Sequence, residues 1–133
     1  MKKPAIQNSI KLIDFKVNNV QYSVKNIFNE DINELNVNVG FSVGFNEYIK
    51  NQYSVEFEVE IGNISKEFTL FCKSIAIFET QNEIDENFKQ SNFVHLNSPA
   101  IAFPFIRSFI NTITSNSGIK PVILPSFNFT KAK

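Results

Sequence analysis

The 133 residues carry 13 Lys+Arg against 13 Asp+Glu, so the formal charge is zero, and 43% of them are hydrophobic, including 15 Phe. This is the size of one domain, too apolar for a disordered chain and without the basic excess of a domain built to bind a nucleic-acid backbone. One Cys excludes an internal disulfide, and one Cys with one His, Cys72 and His95, argues against a metal cage.

The first 80 residues read as strands. Ile10, Leu12, Phe15 and Val17 alternate with polar residues, and a break of phase at Ile13-Asp14 predicts a bulge. Leu35, Val37, Val39, Phe41, Val43 and Phe45 alternate with Asn, Gly and Ser. Tyr53, Val55, Phe57, Val59 and Ile61 alternate with Glu56, Glu58 and Glu60. Period 2 gives each strand one apolar and one wet face, the mark of an antiparallel sheet. Asn46 to Gln52 forms a longer hairpin loop, and Gly62-Asn63 suits a tight one. The fourth strand, Glu67 to Glu79, has Phe68, Leu70 and Cys72 on one face and Phe71, Ile75 and Ile77 on the other, around Lys73. Both faces need cover, and a small domain with one helix layer points to a second subunit as the source of some of it.

A short helix over Ile84 to Gln90 is a further candidate. The main helical signal begins at Ser98, a capping residue, with Pro99 at the first helical position. Ile106, Phe109, Ile110 and Ile113 recur at spacings of three and four, Pro104 predicts a kink, and Gly118 a stop. Phe103 and Phe105 widen the apolar surface to nearly the whole circumference. Beyond Pro121 the apolar, proline-punctuated stretch through Phe129 reads as an extended arm. The whole is a single α+β domain over residues 1–133: a four-stranded antiparallel sheet with one long helix, kinked near Pro104, and a short helix packed on it.

Chemistry is sparse. There is no glycine-rich phosphate loop and no metal-ligand spacing. The glutamates at 56, 58 and 60 fit a solvated strand face, and such a row also protects a sheet from sticking to others. Cys72 and His95 as nucleophile and base lack anything that places them together. The expectation is a protein that is not an enzyme and needs no cofactor. No apolar run approaches the ~18 residues of a membrane span, and no apolar stretch follows the basic start Met1-Lys2-Lys3, so a cytoplasmic location is expected. What stands out is surplus apolar surface, the usual sign of an interface or a peptide groove.

The stretch Asn97-Ser98-Pro99-Ala100-Ile101-Ala102-Phe103-Pro104-Phe105-Ile106-Arg107 resembles the signature segment of the SecB export chaperones, in which Phe-Pro-aromatic and an Arg open the first long helix. Gly118, Pro121, Leu124, Pro125 and Asn128-Phe129 follow the same pattern, as does Phe71-Cys72 upstream. The likeness is specific over residues 97–129 and weak before residue 67. It implies an ATP-independent holdase that keeps unfolded preproteins in long apolar grooves, assembles as a dimer of dimers, and delivers clients to the Sec motor. On the resemblance, Ile27, Phe28, Leu35, Val37, Val39, Phe127 and Phe129 bind or border the client. Phe71, Cys72, Ile75, Ile106, Phe109, Ile110 and Ile113 lie at subunit contacts.

Three departures set this sequence apart. The family's second long helix would follow Asn128-Phe129, but the sequence ends at Lys133, which reads as a C-terminally truncated, atypical member. Where typical members carry acidic residues that dock the motor, this sequence has Asn19, Ser23 and Lys73. The net charge of zero also differs from the family's acidic balance. The rival readings are a SecB-like adaptor dedicated to one partner, such as an antitoxin, and a structural homo-oligomer without clients.

Overall fold

A computed structural model describes residues 9–25 and 34–129. Four strands, β1 (Ile10–Val24), β2 (Asn36–Phe45), β3 (Gln52–Gly62) and β4 (Phe68–Thr80), form one antiparallel sheet in the order β1-β4-β3-β2. A single helical turn, α1 (Glu86–Lys89), precedes a π-helical turn over Phe93–Asn97, which runs directly into α2 (Ser98–Asn116). After α2 the described chain continues to Phe129 as an irregular arm. This is the α+β architecture expected.

β1 shows how sequence irregularity is absorbed. Its apolar residues are spaced by three rather than two at Leu12–Phe15 and at Val17–Val20, which would turn half of them to the wrong face. The register with β4 shifts at both places, between Leu12 and Asp14 and between Val17 and Asn19. Each bulge takes up one residue, so Leu12, Phe15, Val17, Val20 and Tyr22 all stay half-buried while Ile13 is turned out at 40% exposure. The first bulge was expected; the second is hidden in the sequence by a polar Asn-Asn pair.

The β3–β4 connection is wider than the tight hairpin expected at Gly62-Asn63. It spans residues 63–67, and the left-handed conformation falls on Lys66, with φ of 63°. Gly62 is needed for closeness instead: a Cβ there would meet the Phe68 carbonyl oxygen at 3.2 Å. Asn63 closes the turn, its side-chain oxygen accepting from the Phe68 amide at 3.2 Å.

The start of α2 also departs from expectation. Ser98 does not cap it, because the chain is already wound when it arrives. The Ser98 side chain is wholly buried, donates to the Phe93 carbonyl at 2.7 Å and is hydrogen bonded to the Tyr53 hydroxyl. Asp85 caps α1, accepting from the Phe88 amide at 2.8 Å. Pro104 lies inside α2 and has no amide hydrogen to offer the Ala100 carbonyl. The helix ends at Asn116, shortly before Gly118, whose φ of +85° is the left-handed geometry that terminates helices.

The core lies between the sheet's inner face and the helical layer. From β3 and β4 it takes Val55, Phe57, Val59, Leu70, Cys72 and Phe78, and from α2 Ala102, Phe103, Ile106 and Ile110. Cys72, Ser74 and Ala76 are small and follow one another on the inner face of β4, which leaves room for the large side chains of α2. The arm is tied to the helix by Thr114, which donates to the Ile110 carbonyl at 2.8 Å and accepts from the Val122 amide at 2.9 Å. Val122, Leu124 and Phe129 then turn inward and are buried.

Candidate polypeptide-binding site

Two features of the fold leave β2, like the other edge strand β1, with an apolar row that is only half-buried. It is an edge strand, paired only with β3. The helix α2 covers the opposite half of the sheet, touching β1 and β4. In consequence Leu35, Val37, Val39, Phe41, Val43 and Phe45 form a continuous row on the inner face that stays half-buried, while the matching residues of β3 are fully buried. Each large apolar side chain taken from water is worth about 1.5–3 kcal/mol, so the row keeps unused capacity for contact.

The arm forms the wall beside this row. The Phe129 ring lies 5.6 Å from that of Phe41, 6.3 Å from Phe57, 5.6 Å from Phe103 and 5.1 Å from Phe127. Phe129 is therefore part of the core, and Phe127 is half-buried above it. At the far end of the row Lys89 sits with its ammonium 5.3 Å above the Phe45 ring.

Of the residues proposed from the sequence to meet a client, Leu35, Val37, Val39, Phe127 and Phe129 come together on this side of the sheet. Ile27 and Phe28 lie outside the described residues. Phe41, Val43 and Phe45 extend the row and were not singled out from the sequence, although the alternation that marks Val37 and Val39 runs on through them unbroken.

The residues proposed for subunit contacts separate into two groups. Cys72, Ile106 and Ile110 face the core and are fully buried within the one chain, so they have no surface left for a second copy. Phe71 and Ile75 lie half-buried on the outer face of β4, and Phe109 and Ile113 lie half-buried along α2. The helix also exposes Ile101 at 41% and Phe105 at 49%, with the Phe105 ring 5.6 Å from Phe15. Nearby, the Arg107 guanidinium stacks 5.5 Å from the Phe103 ring, and its buried Nε has no hydrogen-bond partner among the described residues.

No group of three or more His, Cys, Asp or Glu among the described residues could hold a metal ion. Burial raises the Cys72 thiol to about 11, the reverse of what a nucleophile needs. The His95 ring nitrogen is 2.8 Å from the Lys89 carbonyl, bracing the turn between α1 and α2. No helix is long and apolar enough to cross a membrane among the described residues.

Sheet order, bent helix and aromatic arm define a small α+β fold, a four-stranded antiparallel sheet covered on one face, with a half-buried apolar row along its β2 edge. The chain belongs to the SecB family: the family model described as preprotein translocase subunit SecB matches residues 4–132. It is 29% identical over 126 residues to an uncharacterized protein of Methanocaldococcus jannaschii, covering 90% of this chain and 79% of that one. It is 27% identical over 84 residues to the protein-export protein SecB of Anaplasma phagocytophilum, covering 59% of this chain and 52% of that one. The fold is shared with a SecB-like chaperone of Mycobacterium tuberculosis solved in complex with a ChAD peptide from the HigA1 antitoxin. That likeness has a TM-score of 0.71 at 13% identity, over 90% of this chain and 88% of that one. A protein of unknown function from Streptococcus agalactiae is similar at a TM-score of 0.51 and 17% identity, over 88% of this chain and 97% of that one.

Proposed function

We propose that this SecB-family chain is an ATP-independent holdase that binds unfolded or extended polypeptide against the inner row of β2 and the aromatic wall of the arm. The half-buried run from Leu35 to Phe45, left open where the helix does not reach, is the observation that carries the reading. A few large client side chains placed there bury enough apolar area to contribute several kcal/mol at about 25 cal/mol per Å2, reduced by the cost of ordering the client. Repetition of the row across a homo-oligomer, a dimer or dimer of dimers, adds avidity. The contacts between copies are drawn from Phe71, Ile75, Phe109 and Ile113.

A second reading is an adaptor dedicated to one partner. It is favoured by the Mycobacterium tuberculosis chaperone of the same fold, solved with a peptide from an antitoxin. The outer face of the sheet favours it too: Lys73 lies in its middle, with Asn19 and Glu58 as its cross-strand neighbours. A cation there repels a basic docking partner and weakens coupling to an export motor. The setting in either case is the cytoplasm, with no cofactor and no nucleic acid.

Light scattering of a chemically denatured test protein diluted into the chaperone, without nucleotide, tests the reading. Suppression of aggregation at stoichiometric chaperone is the expected result, and undiminished aggregation overturns it. Affinity capture from cell extract then separates the two forms, through many unfolded clients or one dominant partner.

A further inference from the structure

Charge is distributed unevenly around the apolar row. The carboxylates of Glu56, Glu58 and Glu60 alternate with buried residues of β3 and so lie on the outer face of the sheet, where Glu58 is paired with Lys73. β2 has no charged residue, and Glu34 and Glu47 only flank its two ends. From Ser98 to Phe129, α2 and the arm hold two cations, Arg107 and Lys120, and no Asp or Glu. Lys120 is exposed. Lys89, at the Phe45 end of the row, is already matched by Glu86 at 3.2 Å.

Arg107 is different, because the fold holds it in place without a counter-charge. One side of α2 meets β1 through Phe105 and Phe15, and the other meets the arm through Phe103 and Phe127, whose rings are 5.9 Å apart. Arg107 follows Phe103 by one turn on the arm side, with its guanidinium 5.5 Å from that ring. The side chain is half-buried, its buried Nε has no hydrogen-bond partner, and no ion pair among the described residues includes it. Taking a cation partly out of water is costly unless an acceptor replaces the water, and a ring face returns only part of that cost. Contacts of 5.5, 5.6 and 5.6 Å lead from the guanidinium through Phe103 and Phe129 to Phe41. Arg107 therefore lies within about 17 Å of the middle of the row, the span of about five extended residues.

Resting on the holdase reading above, we infer that Arg107 takes a carboxylate of the client, so that the site prefers apolar segments carrying Asp or Glu and disfavours those carrying Lys or Arg. The planar guanidinium suits this role, since its N–H groups can donate to both oxygens of a carboxylate while its face stays on the Phe103 ring. The client's apolar side chains occupy the row. Its carboxylate supplies the charge that neither α2 nor the arm contains.

The test uses three labelled nonapeptides with blocked termini and a central Phe-Val-Phe, which differ only in carrying Glu, Gln or Lys at both ends. Each is titrated by fluorescence anisotropy against wild type, Arg107→Gln and Arg107→Lys. Wild type is expected to bind the Glu peptide about fivefold tighter than the Gln peptide and about tenfold tighter than the Lys peptide. Arg107→Gln should erase this order, and Arg107→Lys, which keeps the charge without the planar fork, should retain part of it. Equal binding of the three peptides by wild type, or an order that survives in Arg107→Gln, overturns the inference. Should Arg107→Gln fail to fold, the wild-type order and its reduction in Arg107→Lys decide the matter. If wild type suppresses aggregation but shows no charge preference, the holdase reading stands alone; if it neither suppresses aggregation nor binds any peptide, both fail. A lower oligomer mass in folded Arg107→Gln would show that a second copy supplies the carboxylate, and would also overturn the inference.

Discussion

The hydroxyl of Tyr53, on β3, is hydrogen bonded to that of Ser98, at the first position of α2, with both groups buried. It is a side-chain hydrogen bond that ties the sheet directly to the start of the helix. The Tyr53 ring is also stacked 5.3 Å from Phe78 and meets Phe88 edge-on at 5.9 Å. Tyr53→Phe keeps the ring contacts and removes the bond. Ser98 retains its donation to the Phe93 carbonyl, so nothing is left wholly unpaired. A loss of about 1 kcal/mol of stability is expected, read from the urea midpoint.

Alkaline pH provides a second check on the core. Burial raises the Cys72 thiol from 9.0 to about 11, and raises the Tyr53 phenol from 10.0 to about 12 against the opposing effect of its bond to Ser98. In each case the folded chain holds a proton that the unfolded chain releases first. Stability is therefore full below pH 9, declines through the thiol window of 9–11, and declines further through the phenol window of 10–12. Cys72→Ala should remove the thiol part, flattening the curve by on the order of 2 kcal/mol. A thiol reagent at pH 8 should label native Cys72 only as fast as the protein opens.

Phe129 anchors the arm through four aromatic neighbours. Phe129→Ala should cost about 3–5 kcal/mol, the usual range for a buried phenylalanine. Proteolysis of the arm should accelerate in the same variant. Unchanged stability would mean that the arm does not belong to the core.

Val37 and Val39 test the client-binding row. Both are half-buried on an edge strand, so Val37→Asp with Val39→Asp should leave the sheet folded, as circular dichroism reports. The same pair places two charges in the apolar row and should abolish suppression of aggregation. A folded double variant with full activity would remove β2 from the site.

Assembly is tested at Phe109, which is half-buried on α2. Phe109→Asp should lower the mass seen by light scattering at micromolar concentration. Ile106→Asp is the wrong variant for this purpose. Ile106 is fully buried in the single chain, and a charge there would unfold it.

Much of this architecture is visible in the residue pattern. The alternations of β2 and β3 appear almost as written, because one face of each strand is wet and period 2 survives. The Ile13-Asp14 break and the Gly118 stop are also legible, since each has a single local cause. Other features depend on partners distant in sequence. The second bulge of β1 depends on its register with β4. The π-helical turn before α2 replaces the expected Ser98 cap because Ser98 is drawn into the core toward Tyr53. The apolar circumference of α2 does not say which side faces the sheet, and the family resemblance alone places Ile106 and Ile110 with Phe109 and Ile113 at subunit contacts. Only the placement of the helix over β1 and β4 separates them.

The strand order has a consequence for the chain during synthesis. β1 leaves the ribosome first but hydrogen bonds only to β4, whose first residue lies more than forty positions after the end of β1. The meander of β2, β3 and β4 is joined by short turns and can assemble locally, whereas β1 must wait for a long loop to close. Until it docks, β4 is a second naked border, with Phe71, Ile75 and Ile77 beside it. A nascent copy of this protein therefore passes through an interval in which its own apolar strand border is uncovered and open to other chains.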